Sequence, residues 1–143
     1  MSTRKQLGEQ LALVMQEVIA SAVLTNERIA RSIGLNVVDF QTYGVLLRNP
    51  EPMTPGQVSQ MTELPSSTTT RVLDRLEAKG MVERRPDATD RRKTWVHALP
   101  LDDEKVHAQY AEILRQMEEA HAAFTVAELQ TVLRYMNEMK DVR

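Results

Sequence analysis

Near the N-terminus, apolar residues recur at steps of three and four: Leu7, Leu11, Val14, Met15, Val18, Ile19 and Ala22. That period belongs to an amphipathic helix. It continues through Ile29 and Ile33 and stops at Gly34, a residue suited to the left-handed position after a helix. A helix over residues 6–33 would be roughly 40 Å long, more than a small domain needs. A second helix is predicted over 39–48, with Val38, Tyr43, Val45, Leu46 and Leu47 as its apolar set. Asn49-Pro50-Glu51-Pro52 ends it, because proline cannot continue the hydrogen-bond ladder. Thr54-Pro55 then reads as an N-cap followed by proline in the first turn of a short third helix through Met61. Val58 and Met61 are expected to face inward.

After Glu63-Leu64-Pro65 a fourth helix starts near Ser66 or Ser67 and runs to Lys79, where Gly80 terminates it. Thr69, Val72, Leu73 and Leu76 share one stripe and are expected to pack on the third helix. Met81-Val82-Glu83-Arg84 and Thr94-Trp95-Val96-His97 are short, β-prone and separated by a polar loop, which predicts a hairpin. Asp102 is the expected cap of a fifth helix carrying Val106, Tyr110, Ile113, Leu114 and Met117. A last helix from about Val126 to Lys140 carries Leu129, Val132, Leu133, Met136 and Met139. The fold class is therefore mainly α with a small β-hairpin. Two short helices joined by a tight turn and followed by a hairpin make a winged helix-turn-helix, here flanked by long terminal helices.

Composition narrows the function. A chain of 143 residues is long enough to bury a real core. With no cysteine, disulfides, thiolate metal ligation and thiol redox sensing are excluded, which fits a cytoplasmic location. Gln16 and Glu17 interrupt the N-terminal apolar run, leaving it too short for a signal segment or a membrane span, so no membrane partner is expected. The net charge is −2, yet residues 66–95 hold eight Lys/Arg against five acids. That segment is locally +3 while the remainder is −5, so one face can be basic on an acidic molecule.

The candidate chemistry lies in this basic segment. Ser66, Ser67, Thr68, Thr70 and Arg71 occupy the outward side of the first two turns of the fourth helix. Small polar and basic side chains there suit a helix entering a major groove, where hydroxyls bond phosphates or base edges and an Arg fork takes both acceptors of a guanine. Capping accounts for one or two such residues, not five. Arg91, Arg92 and Lys93 at the hairpin tip form a second contact, along the DNA backbone or in a narrow minor groove. Asp90 beside them is expected to orient a neighbouring Arg. Arg84 and Arg85 at the base are either backbone clamps or solvated charges.

The run Thr70-Arg71-Val72-Leu73-Asp74-Arg75-Leu76-Glu77-Ala78-Lys79-Gly80-Met81-Val82-Glu83-Arg84, followed by Asp90-Arg91-Arg92, resembles the MarR family of bacterial transcriptional regulators. The resemblance implies a homodimer with interlocking terminal helices that binds double-stranded DNA at a palindrome, usually as a repressor. It implies that Ser67, Thr68 and Arg71 stand where base contacts are made, and that Arg92, braced by Asp90, reaches the minor groove. The chain then divides into a dimerisation helix over 1–36, a winged unit over 37–100 and dimerisation helices over 101–143. A small aromatic or phenolic effector is implied between winged unit and dimer helices, where Met15, Ile19, Phe40, Tyr43 and Tyr110 are the candidates. Core packing explains those five equally well. The family usually enters the next helix directly after the second wing strand, whereas Ala98-Leu99-Pro100-Leu101 intervenes here.

Other classes are weaker. The histidines are His97, His107 and His121; the last two lie about 21 Å apart along one helix and cannot share an ion, so a metal-responsive regulator is disfavoured and no metal or other cofactor is called for. No phosphate-cradling glycine loop, nucleophile elbow or HExxH occurs, so no enzyme is expected. A winged helix acting as an adaptor or antirepressor on a protein partner remains a separate reading.

Overall fold

The computed structural model describes residues 1–143 as six helices and one hairpin: α1 Arg4–Ser32, α2 Val37–Arg48, α3 Pro55–Thr62, α4 Ser66–Ala78, β1 Val82–Pro86, β2 Thr94–Ala98, α5 Glu104–His121 and α6 Val126–Met139. They form two compact units, Met1–Asp102 and Asp103–Arg143.

Local chemistry sets the helix ends. Thr3 and Thr54 begin α1 and α3 with capping boxes, each hydroxyl accepting from the backbone N–H three residues on while Gln6 or Gln57 reaches back. Gly34 and Gly80 close α1 and α4 at φ of +74° and +71°. Their neighbours Leu35 and Met81 donate back to the carbonyls of Ala30 and Leu76, satisfying carbonyls the helix leaves open. Between α3 and α4 the chain turns through Glu63 at φ +59°, a left-handed conformation unusual for a residue with a side chain. Asp103 rather than Asp102 caps α5, its carboxylate accepting from the N–H groups of Lys105 and Val106. Two adjacent acids differ there only in backbone conformation, which the letters alone do not fix.

The core of the first unit lies where α2, α3, α4 and the hairpin meet. Val58, Val72, Leu73 and Leu76 are completely buried, with Tyr43, Leu46, Met81 and Val96 packed around them. α3 and α4 are also joined by Ser59, whose hydroxyl donates to that of buried Thr69 at 2.8 Å. The stripe expected on α4 is present. Other inward assignments are corrected: Met61 is 49% exposed, and Leu47 and Val38 lie outside, while Asp39, Phe40 and Thr42 are buried. On so short a helix a one-position rotation of the buried face exchanges its members, and flanking elements decide which.

The hairpin is antiparallel, pairing Arg84 with Val96 and Arg85 with Trp95. Met53 makes a separate antiparallel bridge to β2, exchanging two backbone hydrogen bonds with Val96. The segment after β2 is anchored, because Leu99 donates to the Met81 carbonyl and accepts from the Tyr43 hydroxyl. Burial pushes the Tyr43 hydroxyl above its usual pKa.

Much apolar surface stays uncovered. In α1 only Ile29 and Ala30 are buried, while Leu7, Leu11, Val14 and Val18 are about half exposed. α6 buries none of its residues. The expected interruption at Gln16 and Glu17 does not end the apolar stretch: α1 contains an 18-residue window of mean hydropathy 1.4, long and apolar enough by composition to cross a membrane. Helices that cover an apolar face with a protein partner meet the same criterion.

Candidate nucleic-acid interface

α4 opens on Pro65, and no side chain caps it. The Ser and Thr residues of its first turns are thus not used as caps, and the unpaired N–H groups of that end suit an anion. Ser66, Ser67, Thr70 and Arg71 are exposed on the side opposite Val72 and Leu73, and Thr68 is half-buried. Thr70 donates its hydroxyl to the Ser66 carbonyl one turn back. Ser67 and Arg71, four residues apart, share a face. Arg71 takes no part in the ion pairs that fix the other arginines around it.

Two such pairs fasten α4 in place. Arg75 closes a bidentate fork on Asp39, with Nε at 2.9 Å from Oδ2 and Nη2 at 2.8 Å from Oδ1. The Asp39 side chain is 1% exposed and that of Arg75 46%. Its hydrogen bonds to Asp39 raise the Arg75 pKa further above its usual value. This asymmetry has a consequence. Arg75→Met leaves a buried carboxylate without its partner and is expected to cost about 3–5 kcal/mol. Asp39→Asn leaves a half-exposed guanidinium that water can solvate, so its cost is expected to be smaller. Urea unfolding of both variants checks the order; equal losses, or a larger loss for Asp39→Asn, would refute the argument.

The second pair ties the wing to α4. Arg84 on β1 reaches Asp74 at 2.6 Å and Glu77 at 3.2 Å, and its backbone N–H donates to Glu77 at 3.0 Å. These bonds hold the Glu77 carboxyl below the usual carboxylate range. Arg85 pairs with Glu83 on its own strand. Arg84 is therefore a structural tie, and the positive charge at the tip of the finger is that of Arg91, Arg92 and Lys93, all exposed.

The tip itself is braced. Asp87 and Lys93 are joined through backbone, and the Lys93 N–H donates to the Asp90 carbonyl. The Asp87 carboxylate accepts the Trp95 indole N–H at 2.8 Å on one oxygen. Its other oxygen accepts the Thr89 N–H, the Thr89 hydroxyl and the Asp90 N–H at 3.1, 2.9 and 2.9 Å. Four donors hold the Asp87 carboxyl far below its ordinary pKa, the Trp95 indole first among them. Asp90 in turn accepts from the Arg92 backbone N–H at 3.0 Å and from its Nε at 3.3 Å, the pairing expected from sequence.

Asp87, Trp95, Asp39 and the partners of Arg84 carry site geometry that the sequence reading missed. An indole N–H at the foot of a polar loop, which needs an acceptor when covered, was the available signal for the first two. Of the effector candidates, Phe40 and Tyr43 are core residues, Met15 is half-buried, and Ile19 and Tyr110 are 56% and 41% exposed. A cavity of about 180 Å³ opens beside the end of α2, lined by Leu46, Leu47, Pro50, Glu51, Val96 and His97, and none of those five candidates lines it.

With this geometry in hand, the likenesses to known proteins are specific. A profile of the MarR family matches residues 33–93, the stretch holding the helix-turn-helix and the wing. The chain is 26% identical over 145 residues to the uncharacterised helix-turn-helix transcriptional regulator YcgE of Bacillus subtilis, covering 99% of this chain and 91% of that one. Its fold is similar to that of MarR from E. coli, with a TM-score of 0.64 at 22% identity over 91% of this chain and 96% of that one. It is also similar to an S. aureus MepR variant bound to an oligodeoxyribonucleotide, with a TM-score of 0.56 at 16% identity over 97% and 96% of the two chains. A winged helix-turn-helix with an open, polar α4 face, matched over residues 33–93 by that profile and along nearly the whole chain by a helix-turn-helix regulator, makes this protein similar to the MarR family of transcriptional regulators.

Proposed function

We propose that the chain acts as a homodimer on a palindromic operator, with Ser67, Thr68 and Arg71 reading the major groove and Arg92 entering the minor groove. The observation that carries this reading is the pairing of an uncapped, polar α4 face with a wing whose terminal Arg is braced by Asp90. The oligonucleotide held by the MepR variant, a protein of the same fold, supports it. The dimer rests on the half-exposed stripes of α1, α5 and α6, since apolar surface of that extent on a small chain calls for a partner. Repression follows where such an operator overlaps a promoter, and the site of action is then the bacterial cytoplasm. Release by a small aromatic or phenolic anion completes the reading; benzoate or 4-hydroxybenzoate should dissociate a bound duplex, and unchanged binding would remove that step.

Salt dependence tests the DNA contacts. A set of about 6–10 phosphate contacts makes affinity for a duplex fall roughly 10³–10⁵-fold between 50 and 200 mM salt. Binding that is absent or indifferent to salt would favour an adaptor with a protein partner. Arg92→Ala is expected to weaken binding without changing preference at major-groove positions, and to lower the salt slope by about 0.9 if one phosphate contact is lost. Titrations showing no loss would remove the wing from the interface.

A further inference from the structure

Arg92 is the wing residue expected to touch DNA, yet its side chain is 93% exposed and its bond to Asp90 through Nε is 3.3 Å long. One long hydrogen bond does not fix so flexible a side chain against its rotamer entropy. What fixes the Arg92 backbone is the loop, and the loop is organised around one carboxylate. Asp87 receives Trp95 from the far strand on one oxygen and the Thr89 and Asp90 groups on the other. The Asp90 backbone is thereby held, and the Asp90 carboxylate receives the Arg92 N–H. The bonds run without a gap from the rigid strand through Asp87 and Asp90 to Arg92.

We propose that Asp87 and Trp95 are positioning residues that hold the wing tip so that the Arg92 backbone is presented to DNA in one orientation. Neither is presented as a DNA contact, and an acid in a basic finger would otherwise oppose binding. Asp87 is ionised at neutral pH as any aspartate is, and the donors of the clamp push its pKa lower still. The inference rests on the reading that the wing contacts DNA, and its test separates the two.

The two effects of Asp87 have opposite signs. Asp87→Asn removes a negative charge beside Arg91, Arg92 and Lys93, so simple electrostatics calls for tighter binding. It also turns one acceptor side of the clamp into a donor facing other donors, so the positioning role calls for weaker binding. Titrations use a duplex that the unaltered chain recovers from a random pool, with Asp87→Asn, Arg92→Ala, the double variant and Trp95→Phe compared. We expect Asp87→Asn to weaken binding by about tenfold or more, the scale of losing one charge-assisted contact. The double variant should bind no more weakly than Arg92→Ala alone, because both changes remove the same contact. Trp95→Phe, which keeps the ring and loses the N–H, should weaken binding in the same direction. Trp95 is the single tryptophan in the chain, so its emission should shift to the red in Asp87→Asn while helix content by circular dichroism is kept. If Arg92→Ala weakens binding but Asp87→Asn binds as well as or better than the unaltered chain, the positioning role is overturned and the wing contact stands. If Arg92→Ala binds normally, the wing reading fails and the positioning role fails with it.

Discussion

Replacing Arg71 with alanine is expected to remove about 1–3 kcal/mol of discrimination between operator and altered sequence, the range for one bidentate Arg–guanine contact. The expectation comes from what surrounds the residue. Arg75 is locked on Asp39 and Arg84 on Asp74 and Glu77, so neither guanidinium is free to turn toward a base. Arg71 alone among the α4 arginines stands outside these pairs, on the face it shares with Ser67 and beside the uncapped helix start. Arg71→Lys keeps the charge but loses the planar fork, so it should keep affinity better than specificity. Competition titrations against duplexes changed one base pair at a time give the measurement. The loss should fall at one base pair of each half-site, and unchanged preference in Arg71→Ala would remove the residue from base reading.

The second large effect concerns the proposed dimer. Leu133→Arg is expected to convert the dimer to a monomer, because a charge buried without a partner costs about 3–5 kcal/mol and two-fold symmetry places it in the interface twice. Leu133 is suited to this test since it is 63% exposed and α6 buries no residue within its own chain, so the substitution leaves the protomer's packing intact. Sedimentation should give half the mass of the unaltered protein with undiminished helix signal. Duplex affinity should fall with it, since a monomer engages only one half-site. A variant that keeps the dimer mass would place the interface elsewhere.

Much of this was legible in the sequence because it depends on neighbours along the chain. Thr54-Pro55, Gly34 and Gly80 mark helix ends through local geometry, and the α4 stripe of Thr69, Val72, Leu73 and Leu76 follows from helical period alone. The Asp90–Arg92 brace is legible for the same reason, two residues apart on a tight loop. What was not legible depends on register between elements. Asp39 and Arg75 are 36 residues apart, and only the packing of α2 on α4 brings them together. Arg84 reads as part of the positive finger until β1 is laid against α4, where Asp74 and Glu77 claim it. Met61 and Leu47 have the right character for a core but point away from it, because on short helices composition does not set rotation. Asp87 reads as one more acid in a charged loop, and hairpin register alone places Trp95 above it.

Two-fold reading of DNA by the α4 faces is the central claim, and selection of bound sequences from a random duplex pool tests it most directly. The expected product is an inverted repeat whose half-sites lie about 34 Å apart, one helical turn, as two-fold-related helices require. Enrichment of a single asymmetric motif, or of no motif at low salt, would contradict it.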